Sequence, residues 1–350
     1  MSKVRGVRRV LGVVSISTIM CVSLLACSSS DEQENQQPVV TQTASPAAAS
    51  TTAAETATPT ATPTATVEAV SSGPYPVSLT DLLGREIVIE SEPQSVVALS
   101  PTALEYIYAI GGEAAGRPST ARHPASAMSV TEVGTSYSPN FEAVLALNPD
   151  LIIADSVIHA QPRFLEMFEG IPAPVMMAGA ASYDDVLRAI ELVGTALNRE
   201  DDAQAEIARI ESAFESAKSN LPGALTVVVL IADRDNTLYA AKDTAFVGNI
   251  ISELGLVNPA SDLPDAGPFP GFSTASIESM LMWNPDFIFT ITPAPEPAPR
   301  LSALLARIPP LQGLGAVRMG SVMELSNDLA LRSPGPRVDE LMEAIVSALQ

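Results

Sequence analysis

The sequence predicts an α/β protein with two similar lobes, each built on a mostly parallel sheet, that are joined by one long rigid helix. The first observation is a unit that occurs twice, at 140–153 and 276–289, with a glutamate seven residues before the proline of Asn-Pro-Asp in both copies. An apolar tetrapeptide follows each Asn-Pro-Asp, which is typical of a strand buried on both faces. A unit that occurs twice predicts two similar lobes. The second observation is the alternation of strand-like and helix-like segments, which predicts parallel sheets.

In each copy of the repeated unit, the proline limits how far the helix extends. Pro149 and Pro285 disfavour helical backbone at the asparagine before them, so both helices are expected to end there. Glu142 and Glu278 then lie in the first turn of their helices, where a negative charge interacts favourably with the helix macrodipole.

Residues 74–181 are assigned to the first lobe. The stretch opens with a hairpin that turns at Gly84 and continues with a buried strand at 95–100. Pro101 is expected to begin a helix. Residues 117–139 are polar and lack periodicity, and a loop of this length inside a domain is often functional.

Residues 182–221 are assigned to the helix that bridges the lobes. Two apolar stripes at helical spacing run through this segment, and Ser182 is a suitable N-cap. Residues 198–201 separate the stripes, so the helix is either continuous there or broken. A continuous helix of about 37 residues would span roughly 55 Å, which is longer than a small lobe is wide. Residues 222–350 form the second lobe, with a buried strand at 226–231 and a final helix.

The first 73 residues carry signals of export rather than of a fold. Basic residues and an apolar run predict a signal peptide at 1–26. Leu24-Leu25-Ala26-Cys27 resembles a bacterial lipobox, which implies that Cys27 becomes the lipidated first residue. Residues 27–73 consist largely of Ser, Thr, Ala and Pro, so they are expected to be a disordered tether.

Composition excludes several classes of function. The net charge of −21 argues against nucleic acid or an anionic lipid surface as a partner and favours a protein that presents Arg or Lys. Two histidines and two cysteines, of which Cys21 lies in the signal peptide, make a dedicated metal site unexpected. The nearest match to a serine nucleophile elbow, at 271–275, lacks its final glycine. We therefore expect a protein that is not an enzyme and has no cofactor.

Several motifs, in this order along the chain, support one family resemblance. They are Asp81-Leu-Leu-Gly84-Arg85, Leu99-Ser100-Pro101-Thr102 with Glu105, both Glu…Asn-Pro-Asp units, Gly320-Ser321-Val322 and Ser333-Pro334-Gly335-Pro336-Arg337. From residue 75 to the last residue, the chain resembles the substrate-binding lipoproteins of ABC importers for iron-siderophore complexes, haem or vitamin B12, the class III periplasmic binding proteins. The resemblance implies a ligand cleft between the lobes.

The resemblance also implies a docking surface. In this family a glutamate at the tip of each lobe binds arginines of the permease dimer, which works with its ATPase subunits. By the motif, those residues are Glu142 and Glu278. The alternative is that each glutamate only stabilises the N-terminus of its own helix.

The ligand should lie where both sheets end at the carboxyl ends of their strands. In the first lobe this rule nominates Ser100 and Thr102, together with His123 and Tyr137 on the long loop. By the resemblance, further candidates are Ser136, Phe272, Asp328 and Arg332, which stand where relatives have cleft residues or ligand contacts. For three of these residues the sequence leaves two alternatives. His123 either binds the ligand or is an exposed loop residue, and Tyr137 is either a phenolate ligand or a packed aromatic. Arg332 either binds an anionic group of the ligand or forms an ion pair with Asp328. His159 is expected at the surface, and Trp283 is expected to pack on its own helix.

The resemblance implies a lipid-anchored monomer outside the cytoplasmic membrane that captures an iron chelate, either a siderophore complex or haem, and delivers it to the permease. The alternative in the same class is a vitamin B12 or corrinoid carrier. From other classes, a tetrapyrrole-modifying enzyme is a weaker hypothesis, because no convergent acid/base set is found beyond His123. A membrane-anchored sensor is also a weaker hypothesis, although the sequence alone does not separate it from a transport protein.

Overall fold

A computed structural model describes residues 74–294 and 297–350 of the protein. The predicted signal peptide, Cys27 and the tether up to residue 73 lie outside the described residues. In the described part no helix is both long enough and apolar enough to cross a membrane.

An antiparallel hairpin packs against the edge of the first lobe. Its strands are β1 (Val77–Thr80) and β2 (Glu86–Ile89). The turn is organised by the buried carboxylate of Asp81, which accepts hydrogen bonds from the backbone N–H groups of Leu83, Arg85 and Met177. The Arg85 guanidinium pairs with the same carboxylate at 2.6 Å, so one side chain fixes both the turn and its place on the sheet.

The first lobe contains a five-stranded sheet that is parallel throughout, in the order β5-β4-β3-β8-β9. Its strands are β3 (Val96–Ala98), β4 (Gly116–Arg117), β5 (Thr131–Glu132), β8 (Leu151–Ala154) and β9 (Val175–Met177). Its helices are α1 (Pro101–Ala109), α2 (Phe141–Ala146) and α3 (Pro162–Phe168). A two-stranded hairpin, β6 (Gly134–Thr135) and β7 (Ser138–Pro139), lies between β5 and α2. The central strands β3 and β8 are buried on both faces, as predicted.

The segment predicted to be one long bridging helix is broken into two helices. They are α4 (Tyr183–Ala196) and α5 (Glu200–Ser219). Asn198 adopts a left-handed backbone, with φ of 54°, which asparagine tolerates and which ends α4. The two helices pack closely, since a Cβ built on Gly194 would lie 2.4 Å from the Cβ of Ala203.

Of these two helices, α4 has its main contacts in both lobes, whereas α5 packs mainly on α4 and on the final helix of the second lobe. On one side α4 contacts β1 and α1, and on the other it contacts α6 (Phe246–Glu253) of the second lobe. Because α4 has 14 residues, the bridge is about 21 Å long rather than the 55 Å of a continuous helix. The lobes are joined by one rigid helix, as predicted, but by a shorter one.

The second lobe contains a mixed five-stranded sheet in the order β12-β11-β10-β13-β14. Its strands are β10 (Val227–Ala232), β11 (Leu238–Ala241), β12 (Phe272–Thr274), β13 (Phe287–Ile291) and β14 (Val322–Glu324). Strands β10, β13 and β14 are parallel, whereas β11 is antiparallel to both of its neighbours. The loop at 233–237 that joins β10 to β11 is too short for the crossover that a parallel pair requires.

The remaining helices of the second lobe cover this sheet and its edges. They are α7 (Ile277–Trp283), α8 (Leu301–Leu305), α9 (Gly315–Met319) and α10 (Val338–Leu349). Short helical turns occur at Ala125–Ser129, Pro309–Gly313 and Asp328–Arg332. Trp283 packs against the apolar cluster beneath α7, as predicted.

The two Asn-Pro-Asp sequences have the same role in both lobes. Asn148 and Asn284 are left-handed, with φ of 45° and 40°, and the second caps α7. Asp150 accepts a hydrogen bond from the backbone N–H of Ser95 at 3.0 Å, just before β3. Asp286 accepts one from Thr226 at 2.8 Å, just before β10. Each unit therefore ends a helix and attaches the strand that follows to its neighbour.

Candidate ligand cleft and docking surface

A large cavity lies at the carboxyl ends of β10 and β13, where a ligand is expected in an α/β sheet. Its volume is about 810 Å³. Most of its lining is apolar, and polar groups lie beside β10. The lining residues include Asp233, Arg234, Asn236, Phe269, Ile291, Thr292, Pro293, Pro299, Leu301 and Leu304. We call this space the apolar cavity.

Phe269 provides the aromatic wall of the apolar cavity. Its ring meets Tyr239 edge-on at 5.4 Å, and the Tyr239 hydroxyl donates to Asp233 at 2.9 Å. Gly267 permits this arrangement because its φ is 101° and a Cβ there would lie 2.1 Å from the Tyr239 ring. The predicted contact Phe272 is instead 3% exposed and packs behind Phe269 at 6.2 Å. Its ring supports the wall and does not line the cavity.

A second cavity, of about 400 Å³, adjoins the first and shares Thr292 and Ala294 with it. We call it the polar cavity, since charged and amide side chains at the carboxyl ends of β13 and β14 line it. These are Arg300, Glu324, Asn327, Asp328 and Arg332. Two of the predicted contacts, Asp328 and Arg332, therefore lie together here.

Glu324 holds one end of the polar cavity. Its Oε2 accepts from the Thr290 hydroxyl at 2.6 Å and from the backbone N–H of Ser302 at 3.2 Å. Desolvation opposes ionisation, but these hydrogen bonds and one from Thr292 outweigh it, so the pKa of Glu324 is lowered. Within the described residues, Glu324 Oε1 and Asn327 Oδ1 are buried acceptors without a hydrogen-bond donor. A ligand hydroxyl or amide N–H group would provide one.

Arg332 is one of the two arginines that line the polar cavity, with Arg300. It approaches Asp328 only loosely, at 3.8 Å, and its side chain is 39% exposed. Such a half-exposed pair stabilises the fold little, which leaves the guanidinium available to an anionic ligand group. The alternative from the sequence, an ion pair between Arg332 and Asp328, is thus present, but the distance between the charged groups is long.

Tyr137 of the first lobe is 67% exposed, so its ring is not the packed aromatic of the sequence alternatives, and it is near enough to Arg332 to be affected by its charge. Desolvation and the negative charge of Asp155 raise its pKa, and the positive charge of Arg332 partly offsets them. The phenol is therefore protonated at neutral pH and can donate a hydrogen bond. Ser136, beside it at the tip of the β6–β7 hairpin, is 4% exposed and points into the lobe.

His159 holds this hairpin tip and is fully buried, so the expectation of a surface residue was wrong. Its Nδ1 accepts from the backbone N–H of Asp155 at 2.9 Å, and its Nε2 lies 2.8 Å from the carbonyl oxygen of Ser136. The first contact requires a bare Nδ1, so Nε2 carries the proton. Desolvation lowers the pKa of His159, which keeps the ring neutral. Phe164 packs edge-on against it at 4.8 Å.

None of the five first-lobe candidates, Ser136 and Tyr137 included, is among the residues that line these two cavities. Ser100 is fully buried, and its hydroxyl accepts from Ala103 as the N-cap of α1. Thr102 is also fully buried, because Gly335 of the second lobe lies against it. His123 is exposed and lines a separate cavity of about 200 Å³ with Glu105 and Arg337.

Sequence reasoning missed Phe269, Glu324 and Asn327. Glu324 and Asn327 stand at or just after the carboxyl end of β14, so the rule that ligands bind at strand ends could have identified them. Phe269 lies within a Pro/Gly-rich loop, and only its packing on Tyr239 places it at the cavity.

The two predicted docking glutamates occupy equivalent positions. Glu142 is the second residue of α2 and Glu278 the second of α7, and both are exposed. Asn140 and Ser276 cap these helices by accepting from Ala143 and Ser279. Within residues 74–294 and 297–350, neither glutamate forms an ion pair. Each glutamate can therefore stabilise the N-terminus of its own helix and still be accessible to a partner protein.

Comparison with known proteins decides the family. A family model described as periplasmic binding protein matches residues 96–329. The chain belongs to that family. The predicted resemblance and the predicted two-lobed α/β fold are thereby confirmed.

The relatives agree with this assignment. The ABC transporter substrate-binding lipoprotein YvrC of Bacillus subtilis is 24% identical over 79% of this chain and 86% of its own length. The cobalamin-binding protein of Halobacterium salinarum (strain ATCC 29341 / DSM 671 / R1) is 25% identical over 78% of this chain and 74% of its own. In fold, the petrobactin-binding protein YclQ of Bacillus subtilis has a TM-score of 0.67 at 20% identity, covering 78% of this chain and 98% of that one.

The protein is therefore an extracytoplasmic solute-binding component of an ABC importer, which delivers its solute to a permease, and it is not an enzyme. Among the described residues, no group of three or more His, Cys, Asp or Glu is arranged to hold a metal ion.

Proposed function

We propose that this protein captures an iron chelate, either a ferric siderophore or haem, and delivers it to the permease. The observation that carries the proposal is the pair of adjoining cavities at the strand ends of the second lobe, one apolar and one polar. Together they suit a ligand that has a bulky apolar body and anionic groups at one edge, as haem and many ferric siderophores do.

Each part of such a ligand finds a complementary group. The ring or aliphatic body lies against Phe269 in the apolar cavity, where burial of apolar surface stabilises it. A carboxylate or phenolate oxygen binds the guanidinium of Arg332. The protonated Tyr137 donates a hydrogen bond from the opposite lobe. No side chain is required to coordinate the iron of a ferric siderophore whose own donor atoms already surround the metal.

A corrinoid is the second candidate, and one observation favours it. The free acceptors Glu324 Oε1 and Asn327 Oδ1 suit amide N–H donors, and the edge of a corrin ring carries several amides. The relative from Halobacterium salinarum is named a cobalamin-binding protein.

Delivery would use the docking glutamates and a membrane anchor. Glu142 and Glu278 bind arginines of a permease dimer, which couples to ATPase subunits. Lipidated Cys27 and the tether up to residue 73 keep the monomer close to the outer face of the cytoplasmic membrane.

Direct titration tests the proposal. The mature chain with Cys27 replaced by Ser is titrated with haemin, ferric citrate, ferric catecholate and hydroxamate siderophores, and cyanocobalamin, by absorbance and calorimetry. Micromolar or tighter binding of haemin or a ferric siderophore supports the iron-chelate proposal. Binding of cyanocobalamin alone would replace it with the corrinoid alternative, and binding of none of them would refute both.

A further inference from the structure

The two lobe tips match each other in exposure, residue by residue. Along 141–148 and 277–284 the order of exposed, half-buried and buried positions is identical. The first helical residue is half-buried, the glutamate is exposed, and the fourth residue, Val144 or Met280, is fully buried. The two Glu…Asn-Pro-Asp units therefore share the same pattern of exposed side chains as well as the same backbone.

A leucine belongs to this repeated surface. Leu145 lies three residues after Glu142 and is 41% exposed, and Leu281 lies three residues after Glu278 and is 45% exposed. Residues at this spacing are neighbours on a helix surface. Each tip therefore presents a carboxylate beside an apolar side chain.

Neither leucine belongs to the apolar cluster that lies beneath its helix. Val144 and Met280 are the residues of these helices that are fully buried in the lobes. A single exposed leucine on a protein surface needs no explanation. Two that recur at the same register, each beside the same carboxylate, match what a partner with two equivalent binding sites would contact.

We propose that Leu145 and Leu281 form part of the docking surface and insert into apolar hollows of the permease dimer, beside the arginines that bind Glu142 and Glu278. This inference rests on the proposed docking role of those glutamates. Neither tip helix contains Lys or Arg, so each tip complements a cationic site on the permease. The leucines exclude water around the ion pairs, which strengthens the attraction between the charges.

The two tips differ at the next position. Met282, 77% exposed, stands in the second lobe where Ala146 stands in the first. Met is enriched in protein interfaces, so the second tip offers a larger apolar contact. The two lobes therefore bind the two halves of the permease with unequal contributions.

The test measures binding of the full mature protein to the permease–ATPase complex of its own importer, reconstituted in nanodiscs. The test variant is Leu145→Ser/Leu281→Ser. The control is Val88→Ser/Val257→Ser, which removes two apolar side chains of similar exposure, 48% and 49%, that lie outside α2 and α7. The reference variant is Glu142→Lys/Glu278→Lys.

We expect the leucine variant to bind the permease complex at least about tenfold more weakly than the wild type. Its affinity should still fall as salt rises, because the glutamates remain. The valine control should bind as the wild type does. The ligand affinity of all variants, measured with the probe that binds in the titration above, should be unchanged.

The outcomes separate the two proposals. If the leucine variant binds like the wild type while the lysine variant does not bind, the leucine proposal is overturned and docking by the glutamates stands. If the lysine variant also binds like the wild type, docking at these tips is wrong altogether. A loss in the valine control equal to that in the leucine variant would show a nonspecific effect and would also overturn the proposal.

Discussion

Glu105 on the first helix of the first lobe forms two hydrogen bonds with Arg337 of the second lobe, at 2.9 Å and 3.0 Å. The hydroxyl of Ser333 donates to the same carboxylate at 2.7 Å. Glu105 is only 3% exposed. Desolvation lowers the pKa of Arg337, but the hydrogen bonds to Glu105 outweigh it and the net shift is upward. A buried ion pair thus joins the lobes beside α1, in addition to the covalent bridge through α4.

Removing the cation of this pair should destabilise the protein strongly. For Arg337→Ala we expect the free energy of unfolding in urea to fall by about 3 kcal/mol, because the carboxylate of Glu105 is left buried without its charge partner. Arg318→Ala is the control, since Arg318 is exposed and has no ion pair within the described residues, and it should change stability by about 0.5 kcal/mol or less. Equal effects of the two substitutions would show that the pair does not hold the lobes together.

His159 should make stability depend on pH in the mildly acidic range. Its pKa is lowered in the folded state, chiefly by desolvation and less by Arg163, while Asp155 and the hydrogen bond to Ser136 oppose the shift. As pH falls, the histidine of the unfolded chain therefore takes up a proton near pH 6.5, before that of the folded protein does. The free energy of unfolding decreases between about pH 6.5 and the lowered pKa of the folded state. The full stability is present above about pH 6.5.

A matched pair of substitutions checks this pH dependence. His159→Gln should flatten the decrease in the free energy of unfolding between about pH 6.5 and 5, whereas His123→Gln, at the other histidine of the chain, should leave the decrease unchanged. Urea unfolding at several pH values measures both. A decrease that survives in His159→Gln would assign the dependence to other groups.

Two neighbouring phenylalanines should separate ligand binding from stability. Phe269→Ala removes the wall of the apolar cavity and should weaken ligand binding about tenfold or more, with a small change in stability. Phe272→Ala should instead lower the free energy of unfolding by about 3 kcal/mol, because the side chain is buried. Calorimetry and urea unfolding of both variants measure the two effects. A larger loss of affinity in Phe272→Ala, with its stability unchanged, would contradict the placement of the cavity wall.

Arg332 should contribute more to ligand binding than His123. Arg332→Ala removes one of the two arginines of the polar cavity and is expected to weaken binding of an anionic chelate about tenfold. His123→Ala alters a different cavity and should change binding less than threefold. Arg332→Lys should recover only part of the loss, because an ammonium cannot form the bidentate contact. The reverse order of effects would move the ligand to the cavity beside His123.

The repeated Glu…Asn-Pro-Asp unit made the two-lobed fold predictable, because helix ends and buried strands depend on local rules of backbone conformation and on apolar runs. Proline restricts the residue before it wherever it stands, so both helix ends at the asparagines follow from sequence alone. The length of the bridging helix could not be predicted from the sequence. An amphipathic stripe has the same residue spacing on one long helix and on two shorter helices that pack together. The close contact between Gly194 and Ala203 that distinguishes them is tertiary.

The amino-acid sequence by itself determined the family, the two α/β lobes and the equivalent positions of Glu142 and Glu278, since these depend on local order along the chain. Only the tertiary structure decided which side chains line the cavities, and it selected Phe269 over Phe272 and added Glu324 and Asn327. It also decided that His159 is buried and that Leu145 and Leu281 are exposed beside the glutamates. Burial depends on which distant segments pack over a residue, and no local pattern encodes that.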